Sequence, residues 1–231
     1  APNRTESLPG FMSGDDRVSN VNPNRRLLLG GGALVAVSAA VSALAYPEMP
    51  ARMATHWNAA GEVDGTMSRE LGLALLPAIA ALVLGLFAVL PRIDPRDNFA
   101  DFRFAYDALA LATVGFLAYV NAVVVAVNAG VEISVLQAMA PAIGAIYVVA
   151  GLVTERTDQN WFVGVRTPWT LEDEGVWRDT NRVVARVFEV GGVVAAAGAL
   201  VPEYAIAFVL APAVLAAVAS VGYSYYRYRA A

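Results

Sequence analysis

Residues 160–170 read N-W-F-V-G-V-R-T-P-W-T, and Val176, Trp177 and Thr180 follow shortly after, so three of the four tryptophans fall beside a concentration of arginines and acids. Arg166 stands between Gly164 and Pro168, a spacing that presents a forked guanidinium donor on a tight turn. Around it Trp161, Phe162, Trp169 and Trp177 supply rigid amphipathic rings, and Asn160, Thr167, Thr170, Thr180 and Asn181 supply amides and hydroxyls. This set is equipped to bind. It can grip a peptide, a lipid headgroup or a cytoplasmic protein, and it can equally dock the segment into a membrane interface, where Trp and Arg are enriched.

Reactive chemistry has little to work with. His56 is the single histidine and there is no cysteine, which removes thiol catalysis, disulfides and iron–sulfur ligation together. No H-E-x-x-H, nucleophile elbow, P-loop or G-x-G-x-x-G is present, and no cofactor is implied. Asn58, Glu62 and Asp64 stand near His56, but oxygen-rich turns beside one imidazole are common without a metal, and no metal site is assigned. His56 and Trp57 are read as a polar and aromatic anchor at an outer interface. The loop that carries them, 46–70, opens with Pro47 and Pro50 and contains Gly61 and Gly65, which specify turns rather than a helix.

The elements that must position these residues are membrane helices. The chain has 231 residues, 58% hydrophobic and only 16% charged, with a mean hydropathy of +0.54. One small aqueous core cannot bury that much apolar surface. Six runs stand out, at 27–45, 71–90, 108–127, 133–153, 183–201 and 204–222. Each has about 20 residues, the length that crosses ~30 Å of hydrocarbon. The fold expected is therefore an all-α polytopic integral membrane protein with six transmembrane helices. Six helices could enclose a path, which makes a small-solute or ion transporter the rival reading, although mid-membrane polarity limited to residues such as Asn121 and Gln137 counts against it.

All sixteen basic residues are arginine. Fourteen fall in the N-terminal tail, the second and fourth connections with the entry to the fifth helix, and the C-terminus; the alternate loops hold only Arg52 and Arg69. The positive-inside rule then places both termini in the cytoplasm. The net charge of −4 says little about partners, and no basic patch suggests nucleic acid. Residues 1–24, rich in Asn, Ser, Asp, Pro and Gly, read as a disordered cytoplasmic tail. Arg25-Arg26 before an apolar run resembles a twin-arginine signal, yet 19 apolar residues exceed the ~7–15 of a signal core, so a retained first helix is expected.

Local patterns refine this. Thr170 with Asp173 fits a capping box, with Glu172, Asp173 and Glu174 in a first helical turn. A helix running unbroken from there to Val201 would put Trp177, Thr180 and Asn181 on one face and project some 15–20 Å from the hydrocarbon at ~1.5 Å per residue. Arg186 and Glu189, three apart, are expected to pair. Gly191, Gly192, Ala195, Ala196 and Gly198 give the small-xxx-small spacing of close helix packing. The cluster Tyr223, Tyr225, Tyr226 and Tyr228 with Arg227 and Arg229 reads as an interfacial aromatic belt.

Two stretches carry a resemblance. The loop Y-P-E-M-P-A-R-M-A-T-H-W-N-A-A-G-E-V-D-G at 46–65 resembles the small domain of unknown function that opens SdpI-type proteins, and N-W-F-V-G-V-R-T-P-W-T-L with Trp177 and Thr180 resembles the SdpI signature. The resemblance divides the chain into an N-terminal two-helix module, 25–95, and an SdpI-like four-helix domain, 100–230. It implies a non-catalytic cell-membrane protein that gives immunity to a secreted, membrane-active peptide toxin and signals by holding a cytoplasmic transcriptional repressor at the membrane. Where relatives often have Thr-His after the tryptophan, this chain has Thr180-Asn181, so an ionisable group is lost there.

Overall fold

A computed structural model describes residues 25–93 and 102–230. Among them, six helices are long and apolar enough to cross a bilayer. They are α1 (Arg25–Ala45), α2 (Arg69–Ile93), α3 (Arg103–Asn128), α4 (Val135–Thr154), α6 (Glu174–Ala197) and α7 (Ala205–Ala230), with a five-residue α5 (Pro168–Glu172) between α4 and α6. The fold is an all-α polytopic membrane bundle. Its outward faces carry Leu82, Val193 and Val218, each more than 60% exposed, which acyl chains rather than water would cover. The tail 1–24 and the charged connection around Asp94, Arg96, Asp97 and Asp101 lie outside the described residues.

Small residues decide which helices meet. A Cβ on Gly144 of α4 would run into the Gly192 carbonyl of α6, and one on Gly191 would sit 2.5 Å from Pro212 of α7. Backbones at that separation need glycine, and α4, α6 and α7 form one tightly packed group. A second group is α1, α2 and α3, around Leu27, Ala80, Leu84, Ala110 and Val114. Within it Asn121 is 1% exposed and donates to Ser38 O (3.1 Å) and Ser42 Oγ (3.1 Å), which ties α3 to α1. Gln137 is not at mid-membrane as expected but in the first turn of α4, where it donates to Ala199 O at 3.0 Å; both amides are thus occupied in holding helices together.

Two features depart from the sequence reading. Loop 46–70 is not only turns: β1 (Arg52–Trp57) and β2 (Val63–Ser68) pair antiparallel as a hairpin with a bulge at His56. Asn58 builds its turn, accepting from Ala60 N (2.9 Å) and Glu62 N (3.0 Å), while Gly61 adopts φ +80°. Two-stranded hairpins are marginal alone. This one is anchored because Asn128 at the end of α3 accepts from Ala54 N (2.8 Å) and donates to Ala54 O (2.9 Å), satisfying the strand edge.

The second departure is at α5 and α6. The helix does not run unbroken from Thr170, because the capping box is one turn earlier: Thr167 is the N-cap, its hydroxyl and that of Thr170 exchanging bonds with each other's backbone N–H, and Pro168 takes the first helical position. Asp173 then has extended backbone and caps α6, accepting from Val176 N at 2.7 Å. Two caps six residues apart impose a break.

Candidate functional site

Glu155, just past the end of α4, pairs with Arg186 at 3.0 Å, and Arg186 also reaches Glu189 at 2.6 Å. The expected Arg186–Glu189 pair therefore exists and is extended to a third residue at the end of a neighbouring helix. It also marks level: residues 174–185 of α6 extend about 18 Å beyond α4 at ~1.5 Å per residue. Segment 156–172 folds over that projection as a cap.

Asn160, 0% exposed, organises the cap. Its Nδ2 donates to Asp158 O (2.8 Å) and Val163 O (2.9 Å), and its Oδ1 accepts from Phe162 N (2.8 Å) and Val163 N (2.7 Å). Phe162 and Val163 are thereby turned onto Phe102, Tyr106 and Val153. Gly164 follows with φ +106°; a Cβ there would stand 2.8 Å from Asn181 Oδ1 and 2.9 Å from the Trp177 ring, so the chain passes flat against α6. Asn181 accepts from Val165 N (2.8 Å) and donates to Trp177 O (2.9 Å), and Trp177 Nε1 donates to Thr157 O (2.9 Å). Thr170 is fully buried, donates to Val165 O (2.7 Å) and accepts through its carbonyl from Gln159 Nε2 (2.6 Å). Thr180 is buried on the same face as Trp177 and Asn181, its hydroxyl without a partner among the described residues.

The C-terminus of α7 clamps the cap. Thr167 Oγ1 donates to Ser224 Oγ (3.0 Å), Trp169 packs on Tyr225 with ring centroids 5.1 Å apart, Arg227 pairs with Asp179 (2.7 Å) and the Tyr228 hydroxyl donates to Glu172 (3.1 Å). The tyrosine and arginine cluster thus does more than line an interface. Ser224, fully buried, was invisible to pattern reading because one serine in an apolar helix carries no signal of its own.

Arg166 is exposed and donates to Trp161 O at 2.8 Å, closing the turn on which it stands. Trp161 is 47% exposed and Pro168 is exposed. Beside the cap opens a cleft of about 710 Å³, with Arg156, Asp158, Glu174, Arg178 and Arg182 around the Trp177 and Asn181 edge. Sequence reasoning did not single out these charges, although Arg178 and Arg182 follow the buried Trp177 and Asn181 at the same i,i+4 spacing and so share the adjacent face.

The outer-loop residues lie at the other end of the bundle. His56 pairs with Asp64 at the hairpin bulge, Trp57 packs against Met53 and Val124, and Gly65 lets the strands approach, since a Cβ there would meet His56 Cβ at 2.8 Å. Pro47 and Pro50 both precede β1 and are exposed. No group of three or more His, Cys, Asp or Glu suited to a metal is found among the described residues.

Six apolar helices, a hairpin at one end and a hydrogen-bonded aromatic cap at the other define a polytopic membrane protein with paired extramembrane features. Residues 156–225 match the SdpI/YfhL protein family, and residues 33–81 match a domain of unknown function, DUF1648. The two matches lie in the C-terminal and N-terminal parts of the chain, and together they make it similar to SdpI-type proteins. It is similar to the immunity protein SdpI of Bacillus subtilis (strain 168), 24% identical over 197 residues that cover 85% of this chain and 93% of that protein. No solved structure matches the chain. The protein is a multi-pass membrane bundle whose C-terminal part is similar to this family.

Proposed function

We propose that this protein protects the cell carrying it against a membrane-active peptide toxin, and that this protection depends on the cap at 156–172 and its charged cleft, the face that engages a cytoplasmic partner. One observation carries the reading: the signature residues close on one another into a rigid cap beside an open cleft, an arrangement suited to recognition. Likeness to an immunity protein over nearly its whole length supports it. The orientation proposed places the cap and both termini in the cytoplasm and the hairpin outside, in keeping with the arginine distribution. Residues 1–24 are then a cytoplasmic tail, 25–95 an N-terminal module and 100–230 the SdpI-like domain. By analogy with the family, the partner on the cap is a transcriptional repressor held at the membrane.

The test is survival. A bacterial host lacking such a protein, killed by a secreted membrane-active peptide, is expected to survive when it expresses this chain. Unchanged killing at normal membrane levels of the protein would overturn the proposal.

A further inference from the structure

At the hairpin end an apolar groove of about 420 Å³ runs between the two helix groups, within the ~300–1,000 Å³ usual for ligand sites. α2 makes its main helix contacts with α1 and α3, and α7 with α6 and α4. The groove is the seam left between α2 on one side and α4 and α7 on the other, floored by α3. Its walls include Leu76, Val124, Met139, Ile143 and Val209, and β1 closes the top with His56 and Trp57. From Val135 to Ile143 the wall descends about 12 Å at ~1.5 Å per residue, so the groove occupies the hairpin-side part of the hydrocarbon.

The rim has a sign. Asp64 pairs with the lining residue His56, and Glu62 follows Gly61, which lies over Leu136. Glu132 and Glu203 precede the lining residues Val135 and Ala205 by three and two positions, and both are exposed. The arginines at this end are engaged elsewhere: Arg52 holds Thr66 on β2 (2.8 Å), and Arg69 lies over the Tyr46 ring at 4.3 Å and donates to Met49 O at 3.3 Å. An apolar slot with carboxylates on the segments that flank it selects a ligand with an apolar body and positive ends.

We propose that this groove seats the apolar segment of a cationic, membrane-active peptide arriving through the hairpin-side leaflet. This inference rests on the protective function proposed above and names where that function meets its ligand. Apolar side chains of the peptide replace acyl chains against Met139 and Val209, and its basic residues face Glu132, Glu203 and Glu62. Seating the peptide in the seam takes it out of the population that permeabilises the bilayer.

The absence of native cysteine allows a direct test on the full chain in nanodiscs. The probe is a lysine-flanked Leu/Ala peptide of about 20 residues carrying one tryptophan, long enough to span the hydrocarbon. Bimane is attached at Met139→Cys inside the groove or, as control, at Leu82→Cys on the lipid-facing surface, where Leu82 is 74% exposed. Saturable quenching at position 139 and none at 82 is expected. Filling the slot with Val209→Phe or Ile143→Phe is expected to raise the half-saturating concentration about 10-fold or more, equivalent to ~1.4 kcal/mol. Glu132→Gln with Glu203→Gln is expected to weaken binding at low salt and make no difference at high salt. Equal quenching at both positions, or no effect of either filling variant in chains with wild-type helicity, overturns the groove. So does quenching of position 139 by brominated acyl chains that the peptide leaves unchanged, because lipid then holds the slot. If the host-survival test succeeds while these fail, only the groove assignment falls; if survival fails as well, the protective function falls with it.

Discussion

Replacing Asn160 with alanine tests whether one side chain holds the cap together. Its four hydrogen bonds all go to backbone of the cap itself, and the side chain is wholly buried. Val163, 8% exposed, would lose partners for both its N–H and its C=O without gaining water. At about 1–3 kcal/mol for each buried group left unpaired, the two together cost roughly 2–6 kcal/mol. Since ~1.4 kcal/mol is a factor of ten, local opening of the cap should become about 30- to 20,000-fold more frequent. Hydrogen exchange read by mass spectrometry on the chain in nanodiscs measures this on peptides covering 157–167, with peptides from the α1–α3 group as internal reference. Exchange in the cap should accelerate over that range while the reference stays unchanged. Asn160→Asp keeps the two acceptor contacts to Phe162 N and Val163 N and should fall between wild type and alanine. Acceleration of less than about 3-fold, under ~0.7 kcal/mol, would refute the organising role of Asn160.

Other consequences follow from packing, charge and sidedness. Gly144→Val should abolish folded protein because the neighbour it strikes is the Gly192 backbone, whereas Gly32→Ala, with nothing within 4 Å of the added carbon, should retain or gain up to ~1 kcal/mol; detergent-extracted yield and thermal unfolding separate the two. Arg186→Leu leaves Glu189 and Glu155 without their shared cation and should lower folded yield at least a few-fold, with Glu189→Gln restoring much of it; equal yields for Arg186→Leu and wild type would remove the triad from the account. Single cysteines at Gly61 and Asp158 should react with an impermeant maleimide in opposite ways, the first in intact cells and the second only after permeabilisation, and the reverse pattern would invert the proposed orientation.

The membrane helices were legible because their signal is length and apolarity, neither of which depends on tertiary context. Helix packing was partly legible, since Gly191, Gly192 and Ala195 advertise close approach, but that their partners are Pro212 and Gly144 is a property of the assembled bundle. The hairpin was not legible: R-M-A-T-H-W and V-D-G-T-M-S lack clean alternation, and the pairing depends on Asn128, more than sixty residues downstream. The break at Asp173 escaped for a different reason. Thr170, Glu172, Asp173 and Glu174 satisfy a helix-start pattern in more than one register, and only burial of Thr170 against Val165 and Gln159 selects the earlier cap. In the cap itself the aromatic and amide residues were visible by type. Their division of labour was not, because burial decides that Asn160, Thr170, Trp177 and Asn181 hold the loop while Trp161, Arg166, Arg178 and Arg182 face outward.

The most direct measurement is survival under peptide challenge of cells expressing the wild-type chain and a variant combining Arg166→Ala with Trp169→Ala, matched for membrane level. These changes remove the Arg166 contact to Trp161 O and the Trp169 packing on Tyr225 without entering the transmembrane core. Protection by the wild-type chain and its loss in the variant is the result expected. Undiminished protection by the variant would contradict the assignment of function to the cap.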